Sequence, residues 1–93
     1  MVIAVCTLEL LVPHSHSLKD KRQVVKSLVE SLRQRFNLSV AEVDHLDAWG
    51  RAGIGMACVS NDSAFASQVL NRAVGFVESN PRVVLQDYQM ETL

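Results

Sequence analysis

Cysteines, prolines, glycines and aromatic residues are all scarce in this chain of 93 residues: two Cys, two Pro, four Gly and five aromatics. Cys6 and Cys58 are too few and too far apart for a disulfide framework, and neither belongs to a CxxC redox or metal motif. Each lies in an apolar, strand-like run, where a free cysteine behaves as a small hydrophobe, so both are expected to be reduced, buried and inert. Long hydrophobic runs are missing too. The apolar stretch 2–12 is broken by Thr7 and Glu9 and is far short of the roughly 20 residues of a membrane span. No charged segment followed by a small-residue cleavage site precedes it, so no signal peptide is expected and the expected compartment is the cytoplasm. Net charge is also near zero, at −1.

What is there suits a compact fold. Hydrophobic residues are 48% and charged residues 20%, and the length predicts one domain, 1–93, with a single core. The strongest local signal is a helix within 14–36. Ser17 is placed as its N-cap with Asp20 three residues on, a shorter stand-in for the Glu of a capping box. Leu18, Val25, Leu28, Val29, Leu32 and Phe36 recur at three- and four-residue steps and predict one apolar face.

Charge is unevenly distributed around that helix. Residues 17–36 hold six of the nine Lys and Arg against only Asp20 and Glu30, a net of +4, which leaves three basic and eight acidic residues, or −5, for the remainder. At about 100° per residue Lys19, Arg22, Lys26 and Arg33 fall in one band beside the apolar face, and Lys21 and Arg35 are placed on the opposite flank. Such a band either covers the rim of the core with its aliphatic stems or meets the phosphates of a nucleic acid.

The remaining elements follow from alternation and punctuation. Residues 1–11 predict a strand with Ala4, Cys6, Leu8 and Leu10 on one face and Ile3, Val5, Thr7 and Glu9 on the other. Residues 38–47 and 51–60 predict two further strands joined by a hairpin at Ala48-Trp49-Gly50. Ile54, Met56 and Cys58 share a face of the third, and Gly53 and Gly55 on its other face suggest a bulge or a close approach by another backbone. Asn61-Asp62 starts a second helix with Phe65, Val69, Leu70, Ala73, Phe76 and Val77 as its apolar face, ended by Asn80-Pro81. Residues 82–93 predict a last strand with Val84, Tyr88 and Met90 on one side. The order βαββαβ predicts an α+β, ferredoxin-like sandwich: a four-stranded antiparallel sheet with two helices on one face.

The stretches HSLKDKRQVVKSL (16–28), RFNLSVAEVDHLDAWGRAGIG (35–55) and VSND (59–62) together resemble the YlxP family of small bacterial proteins. The resemblance runs along nearly the whole chain. It implies a ferredoxin-like fold and a cytoplasmic protein with no established biochemical activity. Members are often encoded near genes for translation initiation and ribosome maturation, which implies a role near the ribosome or its RNA.

Three groups of residues are candidates for function. His14, His16, Asp44, His45 and Asp47 are of metal-ligating and acid–base types, but neither HxH nor DHLD has a recognised ligand spacing, and the His pair is placed far from the acidic cluster. No metal, cofactor or catalytic residue is therefore expected, and the protein is read as a non-enzyme. The start of the first helix, with Ser17, Lys19 and Lys21, offers free amides and positive charge to an anion. The open sheet face of Ile3, Val5, Gly53, Gly55, Ala57 and Val59 is small and apolar. It lacks the aromatic platform of an RNA-recognition motif, and together with Trp49 it predicts an interface and a homodimer. The expected function is a non-enzymatic binding module associated with the ribosome, ribosomal RNA or translation machinery through Lys19, Arg22, Lys26 and Arg33. The alternative is a protein–protein scaffold that oligomerises through Trp49, Ile3, Val5 and Val59.

Overall fold

A computed structural model describes all residues from 1 to 93. The elements are β1 (Val2–Leu11), α1 (Leu18–Arg35), β2 (Ser39–Asp44), β3 (Arg51–Ser60), α2 (Ser63–Glu78) and β4 (Val84–Thr92). One four-stranded sheet has the order β2-β3-β1-β4 with every neighbouring pair antiparallel, the α+β ferredoxin-like arrangement expected.

Alternation in the two central strands sets the core. Ala4, Cys6, Leu8 and Leu10 of β1 and Ala52, Ile54, Met56 and Cys58 of β3 are buried, and Val24, Val25, Leu28, Val29 and Leu32 of α1 and Ala66, Leu70, Ala73, Val74 and Val77 of α2 belong to the same buried cluster. Cys6 pairs with Met56 and Ala4 with Cys58, so the two thiols are diagonal neighbours inside that cluster. Burial pushes the Cys6 thiol above its ordinary pKa, which keeps it protonated and unreactive at neutral pH.

Both helices are capped by their own sequence. Ser17 Oγ accepts from the Asp20 amide at 3.0 Å, and the Asp20 carboxylate accepts from the His16 amide at 3.2 Å. Asp62 caps α2 by accepting from the Ala64 amide at 2.9 Å. The apolar face of α2 is rotated from the expected one: Phe65 is exposed, and the small Ala66 and the branched Val74 go inward instead. Close packing of a helix against the central strands favours the small side chain at that position.

Two bulges shift the edge strands. In β2, Glu42 pairs with Ile54 but Asp44 pairs with Gly53, which makes Val43 the extra residue. In β4, Asp87 pairs with Glu9 but Leu85 pairs with Leu10, which makes Gln86 the extra one. Strict alternation across residues 84–90 therefore fails. Leu85, Tyr88 and Met90 register with the helix-facing residues of β1, whereas Val84 registers with Leu11 on the open side and is exposed. The glycines of β3 answer the first bulge. A Cβ at Gly53 meets the Asp44 Cβ at 2.7 Å, and one at Gly55 meets a Val43 methyl at 3.1 Å.

A single lysine ties α1 to the β2–β3 hairpin. Lys21 is fully buried, with its Nζ bonded to Glu42 Oε2 and donating to the His45 carbonyl at 2.9 Å. It does not lie on the flank of α1. At about 100° per residue its direction falls between those of Val25 and Leu28, in the middle of the apolar face. An ammonium there is tolerated because its partners replace water.

Two stability predictions follow from these contacts. Gly53→Ala is expected to destabilise by about 1–3 kcal/mol, since the clash is with a Cβ next to backbone, and Gly55→Ala by less because a Val43 methyl can move. Urea unfolding monitored by circular dichroism checks the order. Lys21→Met strands the mostly buried Glu42 and is expected to cost about 3 kcal/mol, the low end for a broken buried pair because Glu42 keeps some contact with water. A Lys21→Met/Glu42→Leu double variant is expected to recover most of that loss.

Candidate nucleic-acid interface

The solvent face of α1 carries a straight stripe of charge. Lys19, Arg22, Lys26 and Arg33 are all exposed and lie within about 40° of one line along the helix, over a length of roughly 21 Å at 1.5 Å per residue. None of the four joins an ion pair. Arg33 does have a partner: its guanidinium donates to the Val40 carbonyl of β2. Arg35 lies off the stripe, with its guanidinium 4.7 Å over the Phe76 ring.

One acidic residue stands within the stripe. Glu30 is exposed, sits four residues after Lys26 and three before Arg33, and forms no ion pair with either. The angular count that gathers the four basic residues gathers Glu30 as well, so the sequence holds this signal once acidic positions are counted with the basic ones. Beside the stripe a groove of about 470 Å³ separates α1 from the outer edge of β2, with Arg22, Lys26, Glu30 and Arg33 along one wall and Ala41 and Glu42 along the other.

Ser17, Lys19 and Lys21 do not come together as an anion cradle. The Ser17 hydroxyl is used in capping, the Asp20 carboxylate accepts from the neighbouring amide of His16, and the Lys21 ammonium is directed inward at Glu42 and the hairpin carbonyls.

A second cluster forms on the open side of the sheet. β1 and β2 flank β3 and run in the same direction, so the His14–His16 loop and the Asp44–Asp47 turn lie at the same end of the sheet, not far apart as the sequence reading placed them. The Val12 amide donates to the Gly50 carbonyl at 2.8 Å across that end. His14 and His16 nevertheless stay exposed and apart from the turn's cluster. His45 meets Glu9, with Nε2 at 3.0 Å from Oε2, and Asp44 at 3.8 Å. Arg51 completes the group at 3.4 Å from His45 Nε2 and 3.8 Å from Glu9 Oε2. One ligand atom each from Glu9, Asp44 and His45 lies within 4.8 Å of the others. The Arg51 guanidinium lies against Glu9 and His45, so these side chains form a polar network on the turn. His45 needs that support, because it is the one non-glycine residue at positive φ, 58°.

The expected interface residues spread over two regions. Ile3 pairs with Val59 and Val5 with Ala57 across the open face, where Val59 is 62% exposed and Ile3 and Val5 are half-buried. A shallow apolar groove of about 350 Å³ runs along this face between Val5 and Val43. Trp49 is 58% exposed in the hairpin turn. No helix is long and apolar enough to cross a membrane.

Comparison with known proteins gives the chain its family. Residues 3–90 match the family described as "Protein of unknown function (DUF503)". Over 75 residues the chain is 32% identical to "Uncharacterized protein YlxP" of Bacillus subtilis (strain 168), a match covering 81% of this chain and 82% of that protein. Neither description carries an activity. A family match across nearly the whole domain, with a relative at that identity, establishes that the chain belongs to the DUF503 family, the YlxP family that its motifs resemble.

Proposed function

We propose that this domain is a non-enzymatic binding module whose α1 stripe docks on the phosphate backbone of ribosomal RNA. The observation that carries the reading is the set Lys19, Arg22 and Lys26: three exposed cations within two turns of a rigid helix, none paired with an acid. In a chain whose total charge is −1, unpaired cations gathered on one line make one side attractive to a polyanion while the rest repels it. The ribosomal assignment rests on the genomic setting that the family resemblance implies. The open sheet face offers no aromatic residue on β1 or β3 for stacking bases, which leaves α1 as the favoured surface.

A second reading rests on the open face itself. Val59, Val43 and Val84 are each about half exposed or more, beside the half-buried Ile3 and Val5. Apolar surface of this kind supports a homodimer or scaffold contact.

Co-sedimentation with ribosomal subunits across a salt series tests the first reading. Three or four phosphate contacts are expected to give a slope of log K against log salt between about −2 and −4. Lys19→Glu/Arg22→Glu/Lys26→Glu, which leaves Arg33 on the Val40 carbonyl, is expected to abolish binding without unfolding the domain. Binding that is insensitive to both salt and the triple substitution would sink the proposal. Sedimentation velocity tests the second: a dimer at high micromolar concentration that Val59→Lys converts to monomer is expected, and a monomer throughout rules that contact out.

A further inference from the structure

We infer that the α1 stripe selects double-helical RNA, and that Glu30 is the residue that distinguishes it from DNA. The inference rests on the phosphate-docking reading above and names its ligand class.

The duplex follows from the chemistry of the stripe. Single-stranded RNA is gripped by stacking unpaired bases on aromatic rings, and no aromatic residue lies on this line. Phe36, at the end of α1, is packed against the core, and Trp49 is in the hairpin turn. The surface is a straight row of long, flexible cations on a regular helix, suited to a regular backbone and unable to read a base.

Selection for ribose follows from Glu30. A carboxylate inside a phosphate-binding row repels the ligand unless it receives a hydrogen bond in return. Glu30 is exposed, unpaired and flanked along the axis by Lys26 about 6 Å before it and Arg33 about 4.5 Å after it. Ribose offers the matching donor. In an RNA duplex the 2′-hydroxyls line a wide, shallow minor groove between the two phosphate strands. With α1 across that groove, Lys19, Arg22 and Lys26 meet one phosphate strand, Arg33 faces the other with the guanidinium N–H groups not given to the Val40 carbonyl, and Glu30 accepts from a 2′-hydroxyl between them. DNA has no donor at that position, so Glu30 meets it with repulsion alone.

Fluorescence anisotropy on the full chain at low salt tests this with three probes: an RNA duplex of about 20 base pairs, the DNA duplex of the same sequence, and the single RNA strand. The RNA duplex is expected to bind about tenfold more tightly than the DNA duplex, in line with one hydrogen bond to a charged group, and no more weakly than the single strand. Glu30→Gln, at an exposed position, is expected to tighten DNA binding and bring the RNA-to-DNA ratio within about threefold. Equal binding of both duplexes by the unmodified protein, an unchanged ratio in Glu30→Gln, or preference for the single strand overturns the inference and leaves phosphate docking standing. Competition by poly-glutamate as effective as the RNA duplex also overturns it and points to an acidic protein partner. Failure to bind any probe overturns the docking reading as well.

Discussion

A buried ammonium with no access to water has to find its partners within the protein, and at Lys21 that requirement organises one side of the molecule. Its partners come from two places: the Glu42 side chain of β2, and the His45 carbonyl in the turn that follows. Satisfying one charge thus joins α1, the edge strand and the hairpin into a single unit. The same bond fixes the rotation of α1. With Lys21 turned into the apolar face, Lys19, Arg22 and Lys26 are left on the outside, Arg22 and Lys26 beside the edge of β2. The candidate interface is therefore a consequence of where the buried lysine goes.

The turn shows how the local cost is met. His45 takes a backbone conformation that non-glycine residues seldom adopt, and it is held from three directions: its carbonyl by Lys21, its amide by Asp44 Oδ1 at 2.8 Å, and its ring by Glu9. Asp44 and His45, two of the residues of metal-ligating and acid–base type, make the contacts that hold this turn. Glu9, far away in sequence, is part of that arrangement because Gly53 of β3 lies between it and Asp44 on the open face.

The parts of the fold legible in the sequence are those where one local rule operates alone. Period-two alternation places Cys6, Leu8, Ile54 and Met56 correctly because β1 and β3 pair without interruption over ten residues each. It fails in β4, where the extra residue Gln86 inverts the sides, and nothing in the string RVVLQDYQM marks that position. Three- and four-residue spacing locates α1, yet treating every lysine as a surface residue hides Lys21, whose angle on the helix already lies within the apolar arc. Glu42 as its partner depends on the strand pairing and has no local signal. The shared end of β1 and β2 is a consequence of the expected topology and not of any motif: two strands that both run antiparallel to β3 are parallel to each other and finish together.

The two bulges sit on the two outermost strands, one on each side of the sheet. A flat outer strand is a template for the next molecule, and repeated templating leads to fibres. Val43 and Gln86 break the regular ladder on each margin, and the Arg33 guanidinium occupies the Val40 carbonyl on one of them. Interrupted at both margins, the sheet offers a neighbouring strand no continuous flat ladder to extend, which disfavours edge-to-edge pairing.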